Sequence, residues 1–260
     1  MSTLTTYRPS RVVLILGRVA IVVLLFVAWL VAAENEWINV NFFSSPIDVW
    51  SSLMSLSASG ELWAALQSTV LLLAVGWLLG EIAGLTLGIA LGLSKSLNAI
   101  LGPIVVFQNG FPNILLLPIF VVWWGFGYGP KIALVVAMMA VFVGLNVAAG
   151  VREVDGVLID NMRMQGAGTL DVLRHVYLPA VALWVSSSAR VTVGYALQAV
   201  VGSELMGSIT GLGGLISYGQ VSFRSDQIVA VLLVAAALAI IIDLLLAAVE
   251  RRAVRWMPKS

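Results

Sequence analysis

From Leu66 to Leu93 the chain reads "LQSTVLLLAVGWLLGEIAGLTLGIALGL", with a single ionisable residue, Glu81, in the whole run. A helix needs about 20 apolar residues to cross the hydrocarbon of a bilayer, and this stretch exceeds that length. Comparable runs occupy Val12–Ala33, Ile100–Val122, Ile132–Gly150, Val181–Met206 and Ile228–Val249. Lipid offers no partner to backbone polar groups, so apolar segments of this length satisfy their own hydrogen bonds by coiling into helices. The reading is an all-α integral membrane protein with six transmembrane helices, one domain over residues 1–260. Composition agrees: 10% of residues are charged and 60% hydrophobic, where a soluble domain carries roughly a quarter charged residues. No connection between the runs is long enough for a second globular core. The chain has no cysteine, which removes disulfides and thiolate metal sites from consideration.

Charge sets the orientation. Arg8, Arg11 and Arg18 flank the first run in the manner of a secretory signal, but five further spans favour an uncleaved anchor. An even number of spans puts both termini on one side. With that side cytoplasmic, Arg8, Arg11, Arg18, Lys95, Arg152, Arg163, Arg174, Arg251, Arg252, Arg255 and Lys259 lie at the inner face, against Lys131 and Arg224 outside and Arg190 within a span. That asymmetry follows the positive-inside rule, and the reverse orientation would invert it.

The second span carries glycine at 76, 80, 84, 88 and 92. Small residues at every fourth position let a neighbouring helix approach closely, which is how helices associate in lipid. Because four residues turn about 40° past a full revolution, the groove is expected to wind and to favour a crossing over a long seam. Glu81 beside it is costly at that depth unless paired, protonated or wet; it marks either a pathway or a private hydrogen bond. The third span holds Pro103, Pro112 and Pro118 with Gln108, Asn109, Gly110 and Asn113. Internal prolines remove donors and clash with the preceding turn, so a break is expected around 109–113. Broken helices at membrane depth line cavities, which makes Asn109 and Asn113 candidates for a solute path; a simple proline kink is the alternative. The fifth span carries Ser186, Ser187, Ser188, Arg190, Gln198 and Glu204. Arg190 and Glu204 are about 21 Å apart along a helix and need partners elsewhere. For Arg190 that is Asp243 of the last span, an acid from another chain, or a place in the solute path with Gln198.

Several chemistries are absent. One histidine offers no zinc motif, and no GxxxxGK[ST] sequence exists to cradle a nucleotide. Nor do the spans hold the row of acids or histidines of a proton-coupled pump. No metal, cofactor or catalytic cluster is expected on this chain, and any energy source lies on another subunit.

One stretch departs from the apolar pattern. Residues 159–180, "IDNMRMQGAGTLDVLRHVYLPA", carry Asp160, Arg163, Asp171, Arg174 and the only histidine, His175. The pattern predicts a short helix, a turn at Gly166-Ala167-Gly168, and a second helix capped by Thr169 with Asp171 in its first turn. Pro179 then marks re-entry into the membrane. Such a loop at the cytoplasmic face is either a docking surface for a partner or an interfacial helix on headgroups. Its balanced charge argues against a lipid-only role.

The spacing Asp160-Asn161-Met162, three residues, Gly166, nine residues, Val176, then Leu178-Pro179 resembles the cytoplasmic loop of the permease subunits of ATP-binding-cassette (ABC) importers, E-A-A…G…I-x-L-P. Asn161 and Met162 replace the two alanines. "SPIDVWSSL", "LGIALGLSKSL", "LPIFVVWWGFGYGPKIALV", "GVREVD", "GSELMGSITGLGGLI" and "VERRAVRW" resemble the subfamily importing nitrate, sulfonates and taurine. There Asn109 stands at a usual basic position, and Asn113 at a usual proline.

The resemblance implies a type I ABC importer permease fold in the cell (inner or plasma) membrane, with both termini cytoplasmic. It also implies a homodimer, two ATP-binding subunits carrying the ATP, and an extracytoplasmic solute-binding protein; nucleic acid is not an expected partner. Residues 151–180 would be the coupling loop, with Asp160, Arg163, Gly166, Leu178 and Pro179 engaging the ATPase. The glycine-rich segment Gly207–Ser217 would lie near the outer mouth. Asn109, Asn113, Arg190 and Gln198 are the candidate path residues. The expected solute is a small sulfonate, nitrate or taurine-like compound, with a neutral or heterocyclic solute as the alternative. In a different class, a stand-alone carrier or channel would need no docking loop of fixed spacing.

Overall fold

The computed structural model describes residues 11–206 and 209–253, and within them it contains helices and no strand. Arg8, Gly207, Arg255 and Lys259 lie outside the described residues, as do the side chains of Ser186, Ser187, Arg251 and Arg252. In chain order the helices are α1 (Arg11–Glu34), α2 (Val40–Phe43), α3 (Pro46–Ala58), α4 (Glu61–Leu93), α5 (Lys95–Gly110), α6 (Leu117–Trp124) and α7 (Tyr128–Arg152). They continue as α8 (Gly156–Met164), α9 (Thr169–Val172), α10 (Leu178–Leu205), α11 (Gly211–Val221) and α12 (Ser225–Ala253).

Two short helices, α3 and α11, were not foreseen. In α3, Ser45 caps the first turn by accepting the Asp48 N–H at 3.1 Å, while Asp48 reaches back to Ser45. The glycine-rich stretch after residue 210 is helical as α11. Among the described residues, four helices are long and apolar enough to span a membrane, and five if the bent pair α5 and α6 counts as one. The expected span Val181–Met206 lies in α10 but is not among them. Arg190, Thr192, Gln198 and Glu204 dilute its hydropathy, although the helix is 28 residues long.

The expected break at 109–113 is present: α5 ends at Gly110, a 3-10 turn covers Asn113–Leu116, and the two halves meet at 99°. Pro112 cannot donate to the ladder, so the chain turns there.

The α4 glycines correct one expectation. A Cβ on Gly76, Gly80, Gly84, Gly88 or Gly92 would collide with Val135, Met139, Val143, Val147 or Val151 of α7 respectively. Every partner is 59 positions on, so α4 and α7 run parallel in one continuous register rather than crossing at a point. A repeat of 4.0 residues exceeds the helical 3.6, so the two helices keep contact by wrapping right-handedly round each other. Bare glycine backbone against four valines and a methionine gives dense van der Waals contact, the interaction that holds helices in lipid.

The registers fix the layout. Ser68 Oγ and Tyr128 Oη lie 3.0 Å apart, which levels the start of α7 with the first turns of α4. The chain leaves α4 at Leu93 and must climb back to Tyr128, so α5 and α6 together carry it over the height of the bundle. α10 runs opposite to α4, since Thr192 meets Glu81 and Glu204 meets Thr69. α12 reverses again, with Arg190 on Asp243. Leu72, Val135, Met139, Ala196 and Val200 form the buried centre where α4, α7 and α10 meet. Lys95, Arg152, Arg163 and Arg174 sit at one end of this bundle; Lys131 and Arg224 sit at the other.

Candidate functional site

At the end bearing Arg152, α8 and the turn after it project from the bundle. Asp155 caps α8 by accepting the Val157 N–H at 2.9 Å. The helix closes at Gln165, and Gly166 takes φ +85°, a left-handed conformation that L side chains resist. Gly166 has open space around it, so the backbone angle and not crowding demands glycine. Gly168, not Thr169, occupies the cap of the next helix: its N–H donates to Asp171 Oδ2 at 3.0 Å, and Thr169 is the first helical residue.

The segment beyond does not stop at the proline. α9 passes into a π-helical turn, Leu173–Tyr177, and then straight into α10. Pro179 has no N–H for the regular ladder, and the wider turn just before it absorbs the mismatch, with Leu178 N–H donating to Leu173 O. One helical rod therefore runs from Thr169 to Leu205, about 55 Å at 1.5 Å per residue.

Val157, Leu158, Met164 and Leu170 are exposed apolar side chains on this protruding end. Asp160 and Arg163 are exposed on α8, and Leu178 and Pro179 are exposed where the rod begins. Among the described residues, Asp160 and Arg163 form no ion pair with one another or with a neighbour. Apolar knobs with uncommitted charges around them make a face suited to a protein partner.

The candidate path residues lie on α5, the 3-10 turn after it and α10. Asn109 is exposed at the end of α5. Asn113 donates to Gln108 O at 3.3 Å, and its Oδ1 is buried without a hydrogen-bond partner. Ile114, in the same 3-10 turn, packs at Gly202 of α10. Gln198 is exposed one helical turn before Gly202, so the turn and Gln198 share a neighbourhood. Arg190 is engaged with Asp243: Nε donates to Oδ1 at 2.8 Å and Nη2 to Oδ2 at 2.7 Å. This two-pronged geometry is the strong form of the pair, and it is the Asp243 partner considered from the sequence.

Two buried carboxylates meet neighbours that the sequence could not place, although Glu81 Oε2 has no hydrogen-bond partner among the described residues. Trp77 Nε1 donates to Thr192 Oγ1 at 3.0 Å, and the Thr192 hydroxyl donates to Glu81 at 2.5 Å, joining α4 to α10. At the far end, Glu204 accepts from Thr69 Oγ1 at 2.9 Å and from Gly213 N–H at 3.0 Å, while Leu212 N–H donates to Thr69 Oγ1 at 2.9 Å. Lys131 is buried close enough to feel the Glu204 charge. A Cβ on Gly211 or Gly213 would run into Glu204, so "GLGG" is the imprint of a carboxylate seated on the N-terminus of α11. Only the need of Glu204 for a remote partner was readable beforehand.

The description "Binding-protein-dependent transport system inner membrane component" fits residues 84–255 of the chain. The chain is 28% identical over 251 residues to the taurine transport system permease protein TauC of Escherichia coli, covering 95% of this chain and 90% of that protein. It is likewise 28% identical over 229 residues to the putative aliphatic sulfonates transport permease protein SsuC of Bacillus subtilis, covering 88% and 83%. Among solved structures it resembles the MetNI methionine ABC transporter in an inward-facing conformation, with TM-score 0.67 at 21% identity over 78% of this chain and 99% of that one. It also resembles a bacterial ABC transporter importing the polysaccharide alginate, with TM-score 0.67 at 15% identity over 94% and 99%.

Proposed function

The chain belongs to the family of binding-protein-dependent transport system inner membrane components and is a permease subunit of an ABC importer; we propose that its solute is a small sulfonate of the taurine or aliphatic kind. The names of two relatives carry that choice of solute. An importer of this family works with ATP-binding and solute-binding partners. The copy numbers proposed are two permeases of this chain, two ATP-binding subunits and one binding protein.

Six crossings are proposed: α1, α4, the bent pair α5 with α6, α7, α10 and α12. Both termini and α8 would face the cytoplasm, as the positive-inside rule asks of Lys95, Arg152, Arg163 and Arg174. The opposite end, with Lys131, Arg224 and α11, would face outward.

The coupling proposal rests chiefly on the continuity of the rod Thr169–Leu205. ATP closes the ATPase pair against α8 and the Gly166 turn. The rod then moves as one piece, because hydrogen bonds along its length resist bending. Its far end holds Glu204 and through it α11, so motion at the inner face reaches the outer mouth. The interlocked seam of α4 with α7 gives the rod a stiff backing. Along the way Asn109, Asn113, Gln198 and the Arg190–Asp243 pair would line the path, offering hydrogen bonds that a small polar solute can exchange for water. Side-chain amides do this without trapping a charge.

The test is reconstitution of the complex with its cognate binding protein and measurement of ATP hydrolysis against a panel of solutes. Taurine or ethanesulfonate should stimulate hydrolysis. Stimulation by a neutral pyrimidine alone would overturn the sulfonate reading.

A further inference from the structure

At the end of the bundle opposite α8, a cavity of about 770 Å3 opens between the first turns of α4, the start of α7, α11 and the start of α12. Its volume falls within the range of small-molecule sites. Tyr128, Tyr218 and Leu215 give it apolar walls, and Glu61 and Arg224 lie in its lining. These last two carry opposite charge, line one cavity, and do not pair with each other.

Each is placed by its own local structure. Glu61 is the first residue of α4, after Gly60 at φ +83°, and its carboxylate has no hydrogen bond or ion pair among the described residues. Arg224 is fixed where α11 turns into α12: its N–H donates to Gly219 O at 2.8 Å, and Nη2 donates to Asp226 at 3.0 Å. A guanidinium has five N–H donors, and the Asp226 contact occupies one of them. The cavity thus offers an uncommitted carboxylate, a guanidinium with donors to spare, and apolar walls. A short alkyl chain bearing an ammonium at one end and a sulfonate at the other matches all three.

We propose that this cavity is an outer subsite for zwitterionic aminoalkanesulfonates, in which Glu61 takes the ammonium and Arg224 the sulfonate. The α11 wall of the subsite is set by Glu204, so the subsite is attached directly to the rod that α8 would move. This rests on the reading of the chain as a sulfonate importer, and it narrows the solute to those carrying an amine.

Equilibrium binding of labelled taurine and of labelled ethanesulfonate is measured on the purified permease–ATPase complex without binding protein. Glu61→Gln and Arg224→Gln are compared with wild type, and Arg224→Lys serves as a charge-retaining control. Wild type should bind taurine saturably and more tightly than ethanesulfonate, since only taurine uses both charges. In Glu61→Gln that preference should fall about fivefold, the order expected for one partly exposed charge-assisted contact. Arg224→Gln should weaken both ligands, with partial recovery in Arg224→Lys. Absence of saturable binding, or an unchanged preference in Glu61→Gln, overturns the subsite. Uptake by the wild-type complex with its binding protein separates the two readings. Import of taurine with unaltered binding in the variants sinks the subsite alone; binding that follows the variants without sulfonate import sinks the import reading alone.

Discussion

The carboxylate of Glu204 sits on the N-terminus of α11 and takes the Gly213 N–H at 3.0 Å, with no room left for a side chain on Gly213. A negative group at a helix N-terminus satisfies donors that the helix itself leaves open and complements its dipole. Here that group comes from a different helix, so it fastens α11 to α10 at the end of the bundle opposite α8.

Removing this group should be costly. Glu204→Ala leaves the Gly213 N–H and the Thr69 hydroxyl proton without their acceptor and removes a negative charge near buried Lys131, and breaking one side of a buried charged network costs about 3 kcal/mol. The melting temperature of the purified complex should fall clearly, with uptake lost. Glu204→Gln keeps an acceptor and should fall less. Equal stability of Glu204→Ala and wild type would contradict the capping role.

The α4–α7 seam predicts a sharp positional contrast. Gly84→Leu drives a side chain into Val143 and Gly144, whereas Gly194→Ala adds its methyl where nothing lies within 4 Å. Size-exclusion profiles of the detergent-solubilised protein should show Gly84→Leu aggregated or absent and Gly194→Ala monodisperse. Matching profiles for the two would argue against the seam.

Arg190 and Asp243 should behave as a pair. Each single alanine variant is expected to lower the melting temperature, and the exchange Arg190→Asp with Asp243→Arg should recover much of it. Failure of the exchange to exceed the worse single variant would mean that the two residues act separately.

The turn at Gly166 makes a prediction through φ alone. Gly166→Asn should retain uptake better than Gly166→Val, because asparagine tolerates the left-handed region and a β-branched residue does not. Both should remain in the membrane. Equal uptake by the two variants would show that the turn does not depend on the angle.

The long helices of this chain were legible because lipid imposes a plain rule: a run of apolar residues coils. The proline break was legible for a similar reason, since Pro112 removes a donor wherever it stands. The bond between Arg190 and Asp243 was within reach because isolated charges in apolar runs demand partners. What stayed hidden depended on registers between distant segments. Glycines 76 to 92 announce close packing, but only the offset to Val135–Val151 shows that α7 is the partner and that it runs parallel. "GLGG" at 211–214 shows only as part of a glycine-rich stretch until Glu204 is seen pressed against it. Thr169 looked like a cap by residue type, yet the Asp171 carboxylate serves the backbone of Gly168 instead. The cavity joining Glu61 to Arg224 draws on residues more than a hundred positions apart, and no local pattern marks it.

In the proposed assembly, α8 and the helix after Gly166 form the face that meets the ATP-binding subunit. The chain contains no cysteine, so single cysteines can be placed without background. Met164→Cys and Leu170→Cys put a thiol on that face, and Tyr218→Cys puts one on α11 at the other end of the bundle. With a short bifunctional reagent applied to the assembled complex, the first two should cross-link to the ATP-binding subunit and the third should not. Cross-linking from Tyr218→Cys, with none from Met164→Cys or Leu170→Cys, would contradict both the docking role and the orientation.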